Sequence, residues 1–173
     1  MKNRIVLIVI SFFFIFCFII FYKGLNNSNI YIPKINSIKT IPIFNAKDLY
    51  LEKEMNSSEI FFDNNFYVLN IWASWCIPCK KEHSILMELS KNESIKIVGL
   101  NYKDNLNNAK KFINDLGNPY HQILIDKEGT LAIEWGAYGV PETFIINKEK
   151  QIIKKFVGPL NQKLLTEIEL LLK

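Results

Sequence analysis

Residues 66–79 read FYVLNIWASWCIPC, an apolar run followed at once by two cysteines. The segment 66–73 is rich in β-branched and aromatic residues, which predicts a strand buried on both faces of a sheet. In the segment 78–89 apolar residues recur at helical spacing, which predicts an amphipathic helix. Cys76 and Cys79 therefore lie where a buried strand passes into a helix.

The remainder of the chain alternates between the same two kinds of segment. Further strands are predicted at 95–101, 123–126, 143–147 and 151–157, and further helices at 105–116, from 130 to 135, and at 161–172. Strands and helices in this order predict a mixed sheet covered by helices, which is an α/β sandwich of three layers.

An uncharged apolar segment stands near the N-terminus. Residues 5–22 read IVLIVISFFFIFCFIIFY, and as a helix they would span about 27 Å, close to the thickness of bilayer hydrocarbon. Lys2 and Arg4 precede the segment, so the positive-inside tendency predicts cytoplasmic residues 1–4, a transmembrane anchor at 5–22 and a body outside the cytoplasmic membrane. A cleavable signal peptide is the alternative, but no Ala-x-Ala pattern follows. Cys17, inside the segment, is interpreted as a small hydrophobic residue.

Composition and charge limit the function of the body. The chain has 173 residues, 49% of them hydrophobic, which suffices for one domain with a sizeable core. Residues 23–37 are rich in Asn, Ser, Ile and Lys, lack a clear period and are predicted to be a tether to a domain at 38–173. Three of the 21 Lys and Arg flank the apolar segment, which leaves 18 against 17 Asp and Glu. A nearly neutral body gives no electrostatic reason to expect nucleic-acid binding.

The position of the two cysteines indicates redox chemistry. Unpaired amides and a partial positive charge at a helix N-terminus favour a thiolate at the first cysteine. We therefore expect Cys76 to be the exposed, attacking sulfur and Cys79, one turn deeper, to resolve the mixed disulfide. Pro78 fits the first helical turn, where its missing N–H costs little.

Other uses of the two cysteines fit less well. A zinc site needs two more ligands, and the only histidines are His83 and His121. Haem attachment needs a histidine directly after the second cysteine, where Lys80 stands. A permanent structural disulfide is the third alternative, but closing so short a loop stabilises little. We therefore predict a redox-active disulfide with no metal and no other cofactor.

Five stretches in the chain match one family in the same order. They are 70–76 (NIWASWC), Glu82-His83, 98–104 (VGLNYKD), 116–120 (LGNPY) and 138–144 (YGVPETF). Together they resemble the thioredoxin superfamily and, more narrowly, the membrane-anchored periplasmic thiol–disulfide proteins of cytochrome c maturation, the CcmG/DsbE family. The resemblance covers about residues 38–173. It implies a thioredoxin-like fold in the periplasm, held by a single-pass anchor in the bacterial inner membrane.

The resemblance also implies a function and a docking site. A transmembrane thiol electron donor would supply electrons, and the domain would reduce a disulfide in apocytochrome c or in its haem-ligation thiol partner. Val140–Pro141 would be a cis peptide facing the cysteine pair, although the sequence alone leaves its isomer open. Trp75, Tyr138 and Val140 would contact the substrate, with a role in the core alone as the alternative for Trp75.

Carboxylates near the cysteines are expected to tune them. Many thioredoxins carry a buried Asp six residues before the first cysteine, where this chain has Asn70, which cannot take up a proton. Glu82, on the helical face of Cys79, and Glu142, next to Pro141, would raise thiol pKa values and make the reduced pair a better electron donor. The alternative is two solvated surface glutamates.

Two further functions remain as alternatives. A general periplasmic thiol oxidase or isomerase would stabilise its thiolate strongly, and the residues between the cysteines supply no charge for this. A copper chaperone for respiratory oxidase would need wider cysteine spacing and a later histidine, and His121 is poorly positioned for it. His83 is interpreted as an incidental residue of the helix surface. Pro159 follows Gly158 where the family is expected to have an acidic residue.

Overall fold

The computed structural model describes residues 2–26 and 39–172. The chain divides into two compact units, Met1–Lys34 and Ile35–Lys173. Most of the predicted tether at 23–37, together with its boundary to the domain at residue 38, lies outside the described residues.

The first unit contains helix α1, Lys2–Asn26. Its span Arg4–Lys23 has a mean hydropathy of 3.1 and contains the whole of the predicted anchor at 5–22. The large apolar side chains along this span are exposed, which is the arrangement expected of a helix that faces lipid. By length and composition α1 is able to cross a membrane.

The second unit is built from eight strands and five helices within residues 39–172. The strands are β1 (Lys39–Thr40), β2 (Asn45–Asp48), β3 (Glu54–Asn56), β4 (Phe66–Trp72), β5 (Ile95–Tyr102), β6 (Gln122–Asp126), β7 (Glu142–Ile146) and β8 (Gln151–Val157). The helices are α2 (Ser57–Ile60), α3 (Ile77–Leu89), α4 (Leu106–Leu116), α5 (Thr130–Glu134) and α6 (Gln162–Leu171). Every element predicted from the sequence is confirmed to within one residue at each end. Strands β1–β3 and helix α2 were not predicted.

All eight strands form one mixed sheet in the order β1-β8-β7-β4-β5-β6-β2-β3. Strands β4, β5 and β6 run parallel, and β7 is antiparallel to β4. One face of the sheet packs against side chains of α3, α4 and α6. The other face packs against side chains of α2 and α5. The predicted three-layer α/β sandwich is therefore confirmed.

Strand β4 lies at the centre of the sheet and sets the geometry of the site. Side chains alternate between the two faces of a strand. Val68 and Trp72 therefore face the α3/α4/α6 layer, together with Asn70 between them, whereas Leu69 and Ile71 face the α2/α5 layer. The chain then passes directly from Trp72 into the loop that carries the first cysteine.

Candidate active site

The two cysteines of the motif are joined at the start of α3. Cys76 and Cys79 form a disulfide with their Cα atoms 5.3 Å apart. Cys76 is the N-cap of α3, and its Sγ accepts a hydrogen bond from the Cys79 amide over 3.1 Å. Pro78 occupies the first turn, where no amide donor is required.

Both cysteines are buried in this oxidised form. The exposed fraction is 4% for Cys76 and 2% for Cys79. The prediction that Cys76 presents an exposed sulfur is wrong for the disulfide state, because the Sγ atom is bonded to Cys79 and the side chain packs in the apolar cluster of Trp72 and Ala73. A partner must therefore approach through the residues around the pair.

Trp75, directly before the pair, is 57% exposed, so its alternative role in the core alone is wrong. Its Nε1 donates to the Lys103 carbonyl over 3.1 Å. The neighbouring Ser74 donates to the Asp104 carboxylate from both its amide and its hydroxyl. The loop after β5 thus positions the segment that carries Cys76. Sequence reasoning missed Asp104 as a positioning residue, although it ends the matched stretch at 98–104.

The segment 138–141 leads into β7 at the same end of the sheet. The Val140–Pro141 peptide is cis, as the resemblance implied, and the Pro141 carbonyl accepts a hydrogen bond from the Gly158 amide over 3.0 Å. Val140 packs against both apolar clusters, whereas Tyr138 is 67% exposed.

Glu142 holds this segment in shape. Its Oε1 accepts hydrogen bonds from the amides of Tyr138, over 2.7 Å, and Gly139, over 3.1 Å. Its Oε2 lies 2.7 Å from the Lys155 Nζ in an ion pair that is almost fully buried. Lys155 also donates to the Gly136 carbonyl. The ammonium group of Lys155 therefore balances the negative charge of Glu142.

Glu82 is fully buried and has no cationic partner among the groups bonded to it. Its Oε2 accepts the Leu160 amide over 2.7 Å, and its Oε1 accepts Asn70 Nδ2 over 2.9 Å. Burial raises the pKa of Glu82 to about 7, although both hydrogen bonds act in the opposite direction. Glu82 follows Cys79 by three residues on α3, a spacing that makes their side chains neighbours. A carboxyl group with a pKa near neutrality thus lies one helical turn from Cys79.

The two glutamates lie on opposite faces of the sheet, and neither is a solvated surface residue. Thr143 pairs with Asn70 across the sheet and faces the Glu82 side. Glu142 precedes it in the strand, so it faces the α2/α5 layer. The structure thus separates two side chains that were expected to act together on the sulfurs.

Two further predictions concerned residues near the site. The prediction that His83 lies on the helix surface is wrong: it is 3% exposed, and its Nε2 lies 2.9 Å from the Gly117 carbonyl oxygen. Its ring packs edge-on against Phe112, because α4 and the loop after it cover this side of α3. Burial lowers the pKa of His83. Pro159 is exposed between Gly158 and the buried Leu160.

Comparison with known proteins identifies the chain. A Redoxin domain matches residues 37–170. The thiol:disulfide interchange protein DsbE of Haemophilus influenzae is 39% identical over 129 residues, which are 75% of this chain and 70% of that protein. The chain belongs to the DsbE family. The family membership agrees with the five matched stretches and with the joined cysteines, and the protein is a thiol–disulfide oxidoreductase.

Two further comparisons extend the likeness. The thiol:disulfide interchange protein CycY of Rhizobium leguminosarum is 48% identical over 92 residues, which are 53% of this chain and half of that protein. The thioredoxin domain of a thiol–disulfide oxidoreductase from Bacteroides vulgatus superposes with a TM-score of 0.66 at 17% identity, covering 79% of this chain and 99% of that one. The second comparison concerns the fold alone, and it confirms that the fold of this DsbE-family member is thioredoxin-like.

Proposed function

We propose that this oxidoreductase is a reductant in the bacterial periplasm that keeps the haem-binding thiols of apocytochrome c, or the thiols of its haem-ligation partner, reduced. The observation that carries the proposal is the buried carboxylate of Glu82 beside Cys79. A carboxylate near the sulfurs raises thiol pKa values and destabilises the thiolate of the reduced form. A reduced form that is less stable gives up its electrons more readily.

The reaction begins with the reduced pair. The Cys76 thiolate attacks one sulfur of the substrate disulfide, so that a bond forms between Cys76 Sγ and that sulfur while the substrate's own disulfide breaks. The departing substrate thiolate takes up a proton. Protein and substrate are then joined by a mixed disulfide, and the second substrate sulfur is free.

The second step uses Cys79 and Glu82. The Cys79 thiol gives its proton to the Glu82 carboxylate, and the resulting thiolate attacks Cys76 Sγ. This forms the Cys76–Cys79 disulfide seen in the structure and releases the remaining substrate sulfur as a thiolate. That thiolate takes up a proton from water, and Glu82 gives the proton of Cys79 back to the solvent. A transmembrane thiol electron donor then returns two electrons to the pair. The protein needs no metal and no other cofactor for this cycle.

The partner surface comprises the exposed residues around the buried pair. Trp75 and Tyr138 each expose more than half of their surface, and aromatic side chains of this kind are favoured anchors in protein interfaces. In this proposal the substrate backbone docks against Val140 and Pro141. Glu142 is a positioning residue, since it fixes the amides of Tyr138 and Gly139.

The surroundings of the pair favour a reductant over the alternatives. A strong oxidase needs a stabilised thiolate, but Ile77 and Pro78 between the cysteines carry no charge, and Glu82, buried on the helix of Cys79, is acidic. A copper chaperone would need wider spacing between the cysteines and a histidine ligand later in the chain. The His121 amide donates to the Ile97 carbonyl. Ile97 pairs with Val68, four residues before Trp72 in β4, and four residues span about 13 Å along a strand.

The test uses the full chain in detergent micelles. Equilibration with glutathione should give a reduction potential for the pair of about −270 mV or somewhat above, whereas a value near −120 mV would identify an oxidase and end the proposal. The client is tested with the Cys79→Ser variant, which cannot resolve. It should form a mixed disulfide with an oxidised peptide bearing the CXXCH haem-binding motif faster than with a disulfide peptide of equal charge and unrelated sequence. Equal rates would contradict the assignment to apocytochrome c.

A further inference from the structure

Both N–H groups and the carbonyl oxygen of the Asn70 side chain have hydrogen-bond partners at the centre of the domain. The side chain is fully buried. Its Nδ2 donates to Glu82 Oε1 over 2.9 Å and to Thr143 Oγ1 over 3.1 Å. Its Oδ1 accepts the hydroxyl of Tyr120 over 2.9 Å. An amide has two N–H donors and one carbonyl oxygen, so this arrangement fixes which end of the Asn70 side chain faces the glutamate.

Tyr120 is held rigidly in the position from which it makes this bond. Its ring stacks on Trp72 with centroids 5.6 Å apart and an angle of 14° between the planes. The ring also lies close to the backbone of β5 at Gly99, where a Cβ atom would come within 3.0 Å of it. The Tyr120 amide donates to Asn118 Oδ1. At the start of the same loop His83 bonds the Gly117 carbonyl. The hydroxyl is therefore fixed relative to Asn70.

The direction of each hydrogen bond depends on the protonation of Glu82. An ionised carboxylate can only accept, so it requires the NH2 end of Asn70. A protonated carboxyl can donate, and it would form an equally good hydrogen bond with the carbonyl oxygen of Asn70. Turning the amide around would direct Nδ2 at the Tyr120 oxygen and Oδ1 at Glu82. The hydroxyl proton of Tyr120 opposes this reversal, because it already occupies Oδ1.

We propose that Tyr120 is a positioning residue for the redox reaction: by donating to Asn70 Oδ1 it directs the Asn70 NH2 group at Glu82 and keeps the carboxylate ready to accept the proton of Cys79. This inference rests on the role of Glu82 in the proposed function. It assigns the matched stretch at 116–120 a part in the chemistry. It also explains how an asparagine, which takes up no proton itself, serves at this position.

The titratable groups that face Glu82 are few among the described residues. Cys79 faces it from α3, and Tyr120 faces it from the loop before β6. The loop at 158–160 contributes the Leu160 amide, and the central strands contribute neutral Asn70 and Thr143. Burial raises the pKa of Tyr120 well above its usual range, so the phenol stays a neutral donor at every pH at which Glu82 titrates.

The decisive measurement is the titration of Glu82 in the full-length oxidised protein in detergent micelles. Glutamate labelled with ¹³C at the carboxyl group is followed by NMR, and the Glu82 signal is assigned by its loss in Glu82→Gln. In Tyr120→Phe the Glu82 pKa should rise by about one unit, a tenfold change in proton affinity, which is the size expected for one ordinary hydrogen bond.

Tyr67→Phe is the matched control. Tyr67 is also buried and donates its hydroxyl to Asp63 Oδ1 over 2.6 Å, but it lies near the other end of β4. This control loses a comparable hydrogen bond, and its Glu82 pKa should equal that of the wild type. An unchanged Glu82 pKa in Tyr120→Phe, or an equal shift in both variants, would overturn the proposal.

A second variant covers the case in which Tyr120→Phe does not fold. Incorporation of 3-fluorotyrosine at position 120 retains the ring and makes the hydroxyl a stronger donor, so the Glu82 pKa should move downward. No shift, or an upward one, contradicts the proposal. The role of Glu82 is tested separately by the rate at which Cys79 releases glutathione from a Cys76 mixed disulfide. If Glu82→Gln releases it as fast as the wild type, the proposed proton transfer fails, while the NMR titration still decides the effect of Tyr120.

Discussion

Glu82 and Leu160, 78 residues apart in the sequence, are joined by a 2.7 Å hydrogen bond from the Leu160 amide to the Glu82 carboxylate. The bond ties the helix that carries Cys79 to the loop after β8. The same loop holds the Pro141 carbonyl through the amide of Gly158. One buried carboxylate therefore connects the cysteine helix with the segment against which a substrate is proposed to dock.

Replacing Glu82 should slow the second chemical step. In Glu82→Gln the proton acceptor for Cys79 is lost, and general acid–base catalysis typically contributes at least about 100-fold. Release of glutathione from the Cys76 mixed disulfide at pH 7 should therefore slow by about that factor in stopped-flow fluorescence. Glu88→Gln, on the exposed side of the same helix, is the control and should react like the wild type. Equal rates for both variants would remove Glu82 from the mechanism.

The stability of the oxidised domain should fall as the pH rises through the range of Glu82. The pKa of this carboxyl is raised from 4.5 to about 7 in the folded protein, so between these values the folded state binds more protons than the unfolded state, and the free energy of unfolding decreases with pH. The full effect is about 3 kcal/mol.

Chemical denaturation of wild type and Glu82→Gln from pH 4.5 to 8 tests this expectation. The difference in the free energy of unfolding between the two proteins should change over this interval and level off above it. The variant should become more stable relative to the wild type as the pH rises. Parallel curves would show that Glu82 titrates in the folded protein as it does in the unfolded chain.

The buried ion pair on the other face of the sheet should be costly to break. In Lys155→Met the Glu142 carboxylate stays buried without its cation, and loss of one partner of a buried pair costs about 3–5 kcal/mol. Lys154→Met removes the exposed ion pair with Glu167 and should cost at most about 1 kcal/mol. Thermal or chemical unfolding compares the two variants. Similar losses of stability in the two variants would mean that Lys155 does not stabilise the buried Glu142 carboxylate.

An exposed aromatic residue beside the pair should contribute to partner binding. Trp75→Ala removes a side chain of the kind that dominates interface energies, and a loss of about 2 kcal/mol corresponds to a KM roughly 30-fold higher. The substrate is the oxidised CXXCH peptide, and the reduction potential of the pair should change little. Phe62→Ala is the control, since Phe62 is 69% exposed but precedes β4 at the opposite end of the sheet. A KM that rises equally in both variants would contradict the docking role of Trp75.

The central elements could be predicted because their signals are local. Strand β4 is apolar apart from Asn70, α3 has helical spacing, and the hairpin of β7 and β8 encloses a polar turn. Strands β1–β3 have two to four residues each, too few for a period to emerge. Helix α2 left one signal that was overlooked: Asn56 and Glu59 form a capping box, which is visible in sequence as a spacing.

The surroundings of the site could not be predicted, because they depend on contacts between distant segments. Helical spacing put Glu82 on the face of Cys79, but its burial depends on Leu160 and Asn70. The burial of His83 depends on the loop at Gly117. The pairing of Glu142 with Lys155 follows from the register of β7 against β8, which no local pattern specifies.

The separation of Glu82 and Glu142 by the central sheet has an evolutionary consequence. The residues proposed to move the proton of Cys79 lie on one side, whereas the ion pair that shapes the proposed docking segment lies on the other. We therefore expect substitutions around Lys155 to change which partners are selected without altering the reduction potential of the cysteines. A protein engineer could exploit the same independence, redirecting the domain to a new client while its electron chemistry stays as it is.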